Sequence, residues 1–141
     1  MTGVELLPAW VEVARRAVPH ARFVRADITE VQLGEPPLVY DLVLLIDSIE
    51  HVMPERLECL FSTIARHTAE GSALYLHMPA PETQIVEGVV GGQLFENVVP
   101  YHVLVQGLAQ HRFQLEHFEL DKHTDCHRPG ALAIRSALHP Q

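Results

Sequence analysis

Five consecutive apolar residues, Leu42-Val43-Leu44-Leu45-Ile46, stand between Asp41 and Asp47. A strand with one wet face alternates apolar and polar residues. A strand covered on both faces reads as an unbroken apolar run. This run therefore predicts a central strand of a parallel sheet with layers on both sides, which makes the chain an α/β protein. At five residues it is far too short to cross a bilayer.

The rest of the chain is consistent with that architecture. Val4 to Pro8 looks like a strand that ends on Glu5 and turns into a helix. Arg22–Arg25, Ser72–His77, Phe113–Leu120 and Ala131–Leu138 carry further β signals. The last two are separated by turn residues (Thr124, Asp125, Pro129, Gly130) and are expected to pair antiparallel. Pro8 sits at a first-turn position, followed by Trp10, Val13, Ala14 and Ala17 at helical spacing. Pro54 opens a second helix with Leu57, Leu60, Phe61, Ile64 and Ala65 on one face and Gly71 just beyond its end. A third, shorter helix is expected near Val103–Gln110. The order predicts a truncated Rossmann-like sheet, mostly parallel with a C-terminal antiparallel hairpin, in one domain over residues 1–141. The stretch Pro79–Pro100, with Gly88, Gly91 and Gly92, has no clear period and reads as a loop over a pocket.

Composition excludes several classes. Hydrophobic residues make up 48% and charged residues 20%, which suits a packed core and not a disordered chain. The formal net charge of −8 argues against nucleic acid or an anionic membrane as main partner. Cys59 and Cys126 form no CxxC pattern, as expected in a reducing cytoplasm. No basic-then-apolar leader is present at the start of the sequence.

With these elements in order, several segments resemble the class I S-adenosylmethionine-dependent methyltransferases. Gly3-Val4-Glu5, Ala26-Asp27-Ile28, YDLVLLIDSIEHV (40–52), GSALYLHMPAPE (71–82) and YHVLVQGLAQHRFQLEHFEL (101–120) carry the likeness. The resemblance implies that Glu5 holds a ribose, Asp27 the adenine, and Asp47 with Ser48 the methionine half of the cofactor. The family's first strand and glycine-rich loop, roughly 20 residues before the ribose-binding acid, have no counterpart, since only four residues precede Glu5. That strand is central in the family's sheet, so its absence leaves two apolar edges. The chain is expected to be a complete protein that has shed the loop, and to close the gap or to form a homodimer.

A vacated cofactor cavity suggests a different guest. Trp10, Met53, Tyr75, Met78, Phe95 and Tyr101 are expected around it, with His102 at its mouth, as walls for a large apolar ligand. The size and the missing loop resemble the small methyltransferase-like cyclases of macrolide polyketide biosynthesis. That likeness implies a cofactor-independent [6+4] or [4+2] cycloaddition of a polyene, in which the protein folds the substrate so that its reacting carbons meet. Ser48, His51, His77 or Tyr75 would then donate to a conjugated carbonyl. The alternatives are a methyltransferase, truncated or completed by a partner chain, that uses S-adenosylmethionine with His51 or His102 as the base for its acceptor, or a non-catalytic partner of an intact one. No metal is expected. Asp47-x-x-Glu50-His51, with His102, resembles the magnesium-bound set of one RNA-methylating branch of the methyltransferases, but the same segment is common in branches with no metal, and the His123–His127 cluster reads as a solvated turn.

Overall fold

A computed structural model describes residues 1–80, 97–123 and 131–140, from Leu120 onward as backbone only. Six strands form two sheets. In the first, β1 (Thr2–Glu5) runs parallel to β2 (Arg22–Arg25). The second has the order β3 (Leu42–Ile46), β4 (Ala73–His77), β6 (Ala131–Pro140), β5 (Phe113–His123). In it β3 and β4 are parallel, β6 is antiparallel to both β4 and β5, and the expected C-terminal hairpin is present. The turn joining its strands, with the His123–His127 cluster, lies outside the described residues or their side chains.

Helix α1 (Pro8–Ala17) starts on Pro8 and packs on β1 and β2. Helix α2 (Leu57–Arg66) follows a 3-10 turn that begins at Pro54. Helix α3 (Tyr101–Gln110) begins two residues earlier than its apolar pattern suggested, because Pro100 leaves an extended backbone into the first turn. The core lies between one face of the second sheet and the helices α2 and α3. It joins Leu45, Leu74 and Leu76 to Leu57, Leu60, Phe61, Ile64, Leu104 and Leu108. Gly107 lets the Phe61 ring lie on the α3 backbone. A Cβ there would sit 2.3 Å from Phe61 Cε2.

Chain direction fixes where the helices go. From β1 the chain moves outward to β2, and from β3 outward to β4. Right-handed crossovers therefore place α1 and α2 on opposite faces. Val43 and Leu45 face α2. Leu42, Leu44 and Ile46 face the other way and are 54%, 53% and 52% exposed. The unbroken apolar run predicted cover on both faces, and among the described residues it has cover on one. Helix α1 shows the same inversion. Val11 is its buried residue, whereas Trp10 and Val13, expected on the packed face, are exposed.

Candidate functional site

The carboxyl ends of the strands converge. Arg56, beyond β3, donates through Nη1 to Asp27 Oδ2 at 3.0 Å and through Nη2 to Glu30, both beyond β2. The two sheets therefore point the same way, with their carboxyl ends on one side. Asp27 Oδ1 accepts the Thr29 hydroxyl at 2.7 Å and the Thr29 N–H at 2.8 Å. Those two bonds, with Arg56 as the least contributor, hold the Asp27 carboxyl below its ordinary value against the opposing effect of burial. The residue expected to meet adenine thus has both oxygens engaged within the protein.

Glu5 ends β1. Its Oε1 accepts the Leu7 N–H at 2.8 Å, which fixes the carboxylate at the turn into α1. Its Oε2 has no protein partner among the described residues.

Asp47 and His77 end the neighbouring strands β3 and β4. Asp47 N–H donates to His77 O at 3.0 Å, and His77 Nδ1 lies 2.7 Å from Asp47 Oδ1. The tautomer that satisfies this carboxylate carries its proton on Nδ1 and leaves Nε2 as an acceptor. Asp47 has φ +46°, the left-handed region that costs an L-residue energy. Sequence reasoning named both residues but gave them separate roles. The signal that joins them is the register of the parallel pair, in which Ile46 lies opposite His77.

Between β1 and β3 lies a slot of about 370 Å³, lined by Met1–Val4, Phe23, Ile28, Val31, Leu33, Tyr40, Leu42–Leu45, Ser48, Thr63, Ile64 and His67. β1 and β3 lie in separate sheets and do not pair across it. The Tyr40 hydroxyl is buried without a hydrogen-bond partner. His67 lies with its Nδ1 2.7 Å from Leu38 O while Nε2 accepts the Leu33 N–H at 3.3 Å, and so ties one wall to the end of α2. Ser48 closes the carboxyl end by donating to Ile46 O at 2.7 Å.

Of the expected apolar pocket residues that are described, none lines this slot. Trp10 and Met53 are 59% and 50% exposed. Met78 is fully buried in the core, and Tyr101 stacks edge-on against Phe118. Tyr75 is half-buried in β4, while His51 and His102 are exposed. Phe95 lies outside the described residues. Ser48 alone of the expected set touches the slot, with its hydroxyl already engaged. The slot itself was missed as a cavity because its walls are ordinary strand residues. Among the described residues no group of three or more His, Cys, Asp or Glu side chains is placed to hold a metal ion. No helix there is long and apolar enough to cross a membrane.

A nucleotide-fold sheet that reverses its strand order at a slot, with acids at the carboxyl ends, defines a Rossmann-like methyltransferase scaffold. Residues 1–76 match the family model described as a methyltransferase domain, and the chain belongs to that family. No curated protein sequence matches it. Among solved structures it is similar to a SAM-dependent methyltransferase from Methanosarcina mazei (13% identity, TM-score 0.78, 99% of this chain and 81% of that one). A protein from Pyrococcus horikoshii OT3 aligns at 14% identity and TM-score 0.80, over 100% of this chain and 71% of the other. An S-adenosylmethionine-dependent methyltransferase from Mesorhizobium loti aligns at 16% identity and TM-score 0.77, over 98% and 80%.

Proposed function

We propose that this chain is the scaffold of a methyltransferase that uses S-adenosylmethionine, in place of the cofactor-free cyclisation expected from the sequence. The observation that carries the reading is the Asp47–His77 dyad at the carboxyl ends of β3 and β4, with the half-buried Glu5 at the carboxyl end of β1, in a methyltransferase-family chain. The ribose of the cofactor fits the residues present. Glu5 keeps Oε2 available for ribose hydroxyls while Oε1 anchors the turn. Asp27 is a poorer partner for adenine, since Thr29 and Arg56 engage it. When bound, the cofactor supplies an electrophilic methyl group. The chain's own contribution is the base, which this reading gives to His77 in place of the His51 or His102 expected from the sequence, because a carboxylate orients its ring. Asp47 orients the His77 ring, and Nε2 takes a proton from a hydroxyl or amine acceptor.

The apolar slot favours one other reading, the cycloaddition of a polyene. Its size suits a small organic ligand. Its walls suit one less well, because an apolar guest leaves their backbone donors and acceptors unpaired.

Calorimetry with S-adenosylhomocysteine tests the proposal. Saturable binding that weakens about tenfold in Glu5→Gln, about 1.4 kcal/mol, and is unchanged in Trp10→Ala supports it. Binding indifferent to Glu5, or a polyene turned over without cofactor and lost in Trp10→Ala, overturns it.

A further inference from the structure

We propose that the outer edge of β5 is the interface of a two-fold homodimer, in which β5 pairs antiparallel with β5 of a second copy and the two sheets join edge to edge. The sheet order β3-β4-β6-β5 ends on this strand. One edge of β5 is laddered to β6, and no described strand pairs with the other. Such an edge offers a row of backbone donors and acceptors to a further strand. In an antiparallel ladder a residue turns both backbone groups to one edge, and its neighbours turn theirs to the other. A residue on the outer edge can therefore face only a partner residue whose number differs from its own by an even count. The two-fold axis must then pass through a residue and not between two.

The charges along β5 select that residue. Beyond the bulge at Leu115/His117 the axis can stand at any position from His117 to Asp121. At Glu119 or Asp121 it sets an acidic residue against its own copy, and at Leu120 it sets Glu119 against Asp121. At His117 it sets imidazole against imidazole. At Phe118 it sets His117 of each chain opposite Glu119 of the other, twice by symmetry, with no like charges opposed. Both side chains are exposed, and they share one face of the strand, with Nε2 and Oε2 3.5 Å apart. Phe118 lies on the opposite face, which carries α3. Its ring meets Tyr101 edge-on and is 41% exposed. Val105, one turn along α3 from Tyr101, is exposed as well. Pairing about Phe118 brings the two Phe118 rings together beside these residues and covers an apolar strip on each chain. The contact lies across β6 from β4 and its His77, so it is independent of the methyl-transfer reading.

Sedimentation of the full chain over a range of concentrations reads the dimer constant. Glu119→Lys sets an ammonium opposite each His117 and should weaken the dimer about tenfold. His117→Glu combined with Glu119→Lys restores opposite charges across the axis and should recover the lost affinity, which a role confined to one chain would not do. As the dimer forms, amide exchange should slow at every second residue of β5 from His117 onward. If Glu119→Lys fails to fold by circular dichroism, exchange on the unaltered chain decides. A monomer at the highest concentration reached, a dimer indifferent to Glu119→Lys, or a dimer that leaves the β5 amides unprotected overturns the proposal. So does protection of the outer β5 amides already in the monomer, which assigns that edge to another segment of the same chain.

Discussion

His77 Nδ1 and Asp47 Oδ1 stand 2.7 Å apart at the carboxyl ends of adjacent parallel strands, although thirty positions separate them in the chain. The contact exists because Asp47 turns into a left-handed conformation just where β3 ends. The strain is local, and the product is a carboxylate-oriented imidazole at the edge of the sheet.

His77→Gln should lower kcat for methyl transfer by about 10²–10⁴ with little change in KM for the donor. In Asp47→Gly the backbone strain is relieved, so stability should hold or rise by up to about 1 kcal/mol while the rate falls. Steady-state kinetics and denaturant melts of the two variants check both.

Asp27 and Arg56 tie the loop after β2 to the turn after β3. Asp27→Asn should destabilise the fold by about 1 kcal/mol at neutral pH. The folded carboxyl titrates below its ordinary value of 3.8. Its stabilising contribution is therefore fully present above that value and lost as pH falls through the depressed one. The gap between wild type and Asp27→Asn in urea titrations should close in that acid window, and a gap unchanged there would refute the assignment.

Both nitrogens of His67 serve the backbone of the segment that precedes β3. His67→Ala leaves the Leu33 N–H and the Leu38 carbonyl without their partner in a buried setting. The expected cost is about 2–3 kcal/mol, read from thermal melts together with faster proteolysis of residues 33–40.

Gly107 sets a contest of two effects. Alanine improves helix propensity by about 1 kcal/mol, but its Cβ meets the Phe61 ring, itself 2% exposed. Overpacking costs about 1–3 kcal/mol, so Gly107→Ala should destabilise. Adding Phe61→Leu should recover part of the loss in a double-mutant cycle.

The two faces of β3 should respond oppositely to charge. Leu44→Lys places an ammonium on the exposed face and should shift stability by no more than about 0.5 kcal/mol. Leu45→Lys buries one in the core and should prevent folding. Circular dichroism of the two variants separates them.

The elements of the fold were legible because their signals are local. Pro8 and Pro54 mark helix starts, the spacing of Leu57, Leu60, Phe61 and Ile64 marks the packed face of α2, and the turn residues before Ala131 mark a hairpin. The site was legible only in part. Glu5, Asp27, Asp47, Ser48 and His77 stand at strand ends where open sheets collect ligands, and the sequence names them. It does not pair Asp47 with His77, nor set Arg56 against Asp27, because those contacts depend on register and on loops closed over long separations.

What the sequence by itself determined is the kind of each element and the family to which their order belongs, since periodicity and turn chemistry act within a few residues of chain. Only the tertiary structure decided which apolar surfaces are covered. Leu44 and Leu45 are the same side chain in adjacent positions; one is bare and the other buried, because the pleat sends them to opposite faces and α2 packs on one alone.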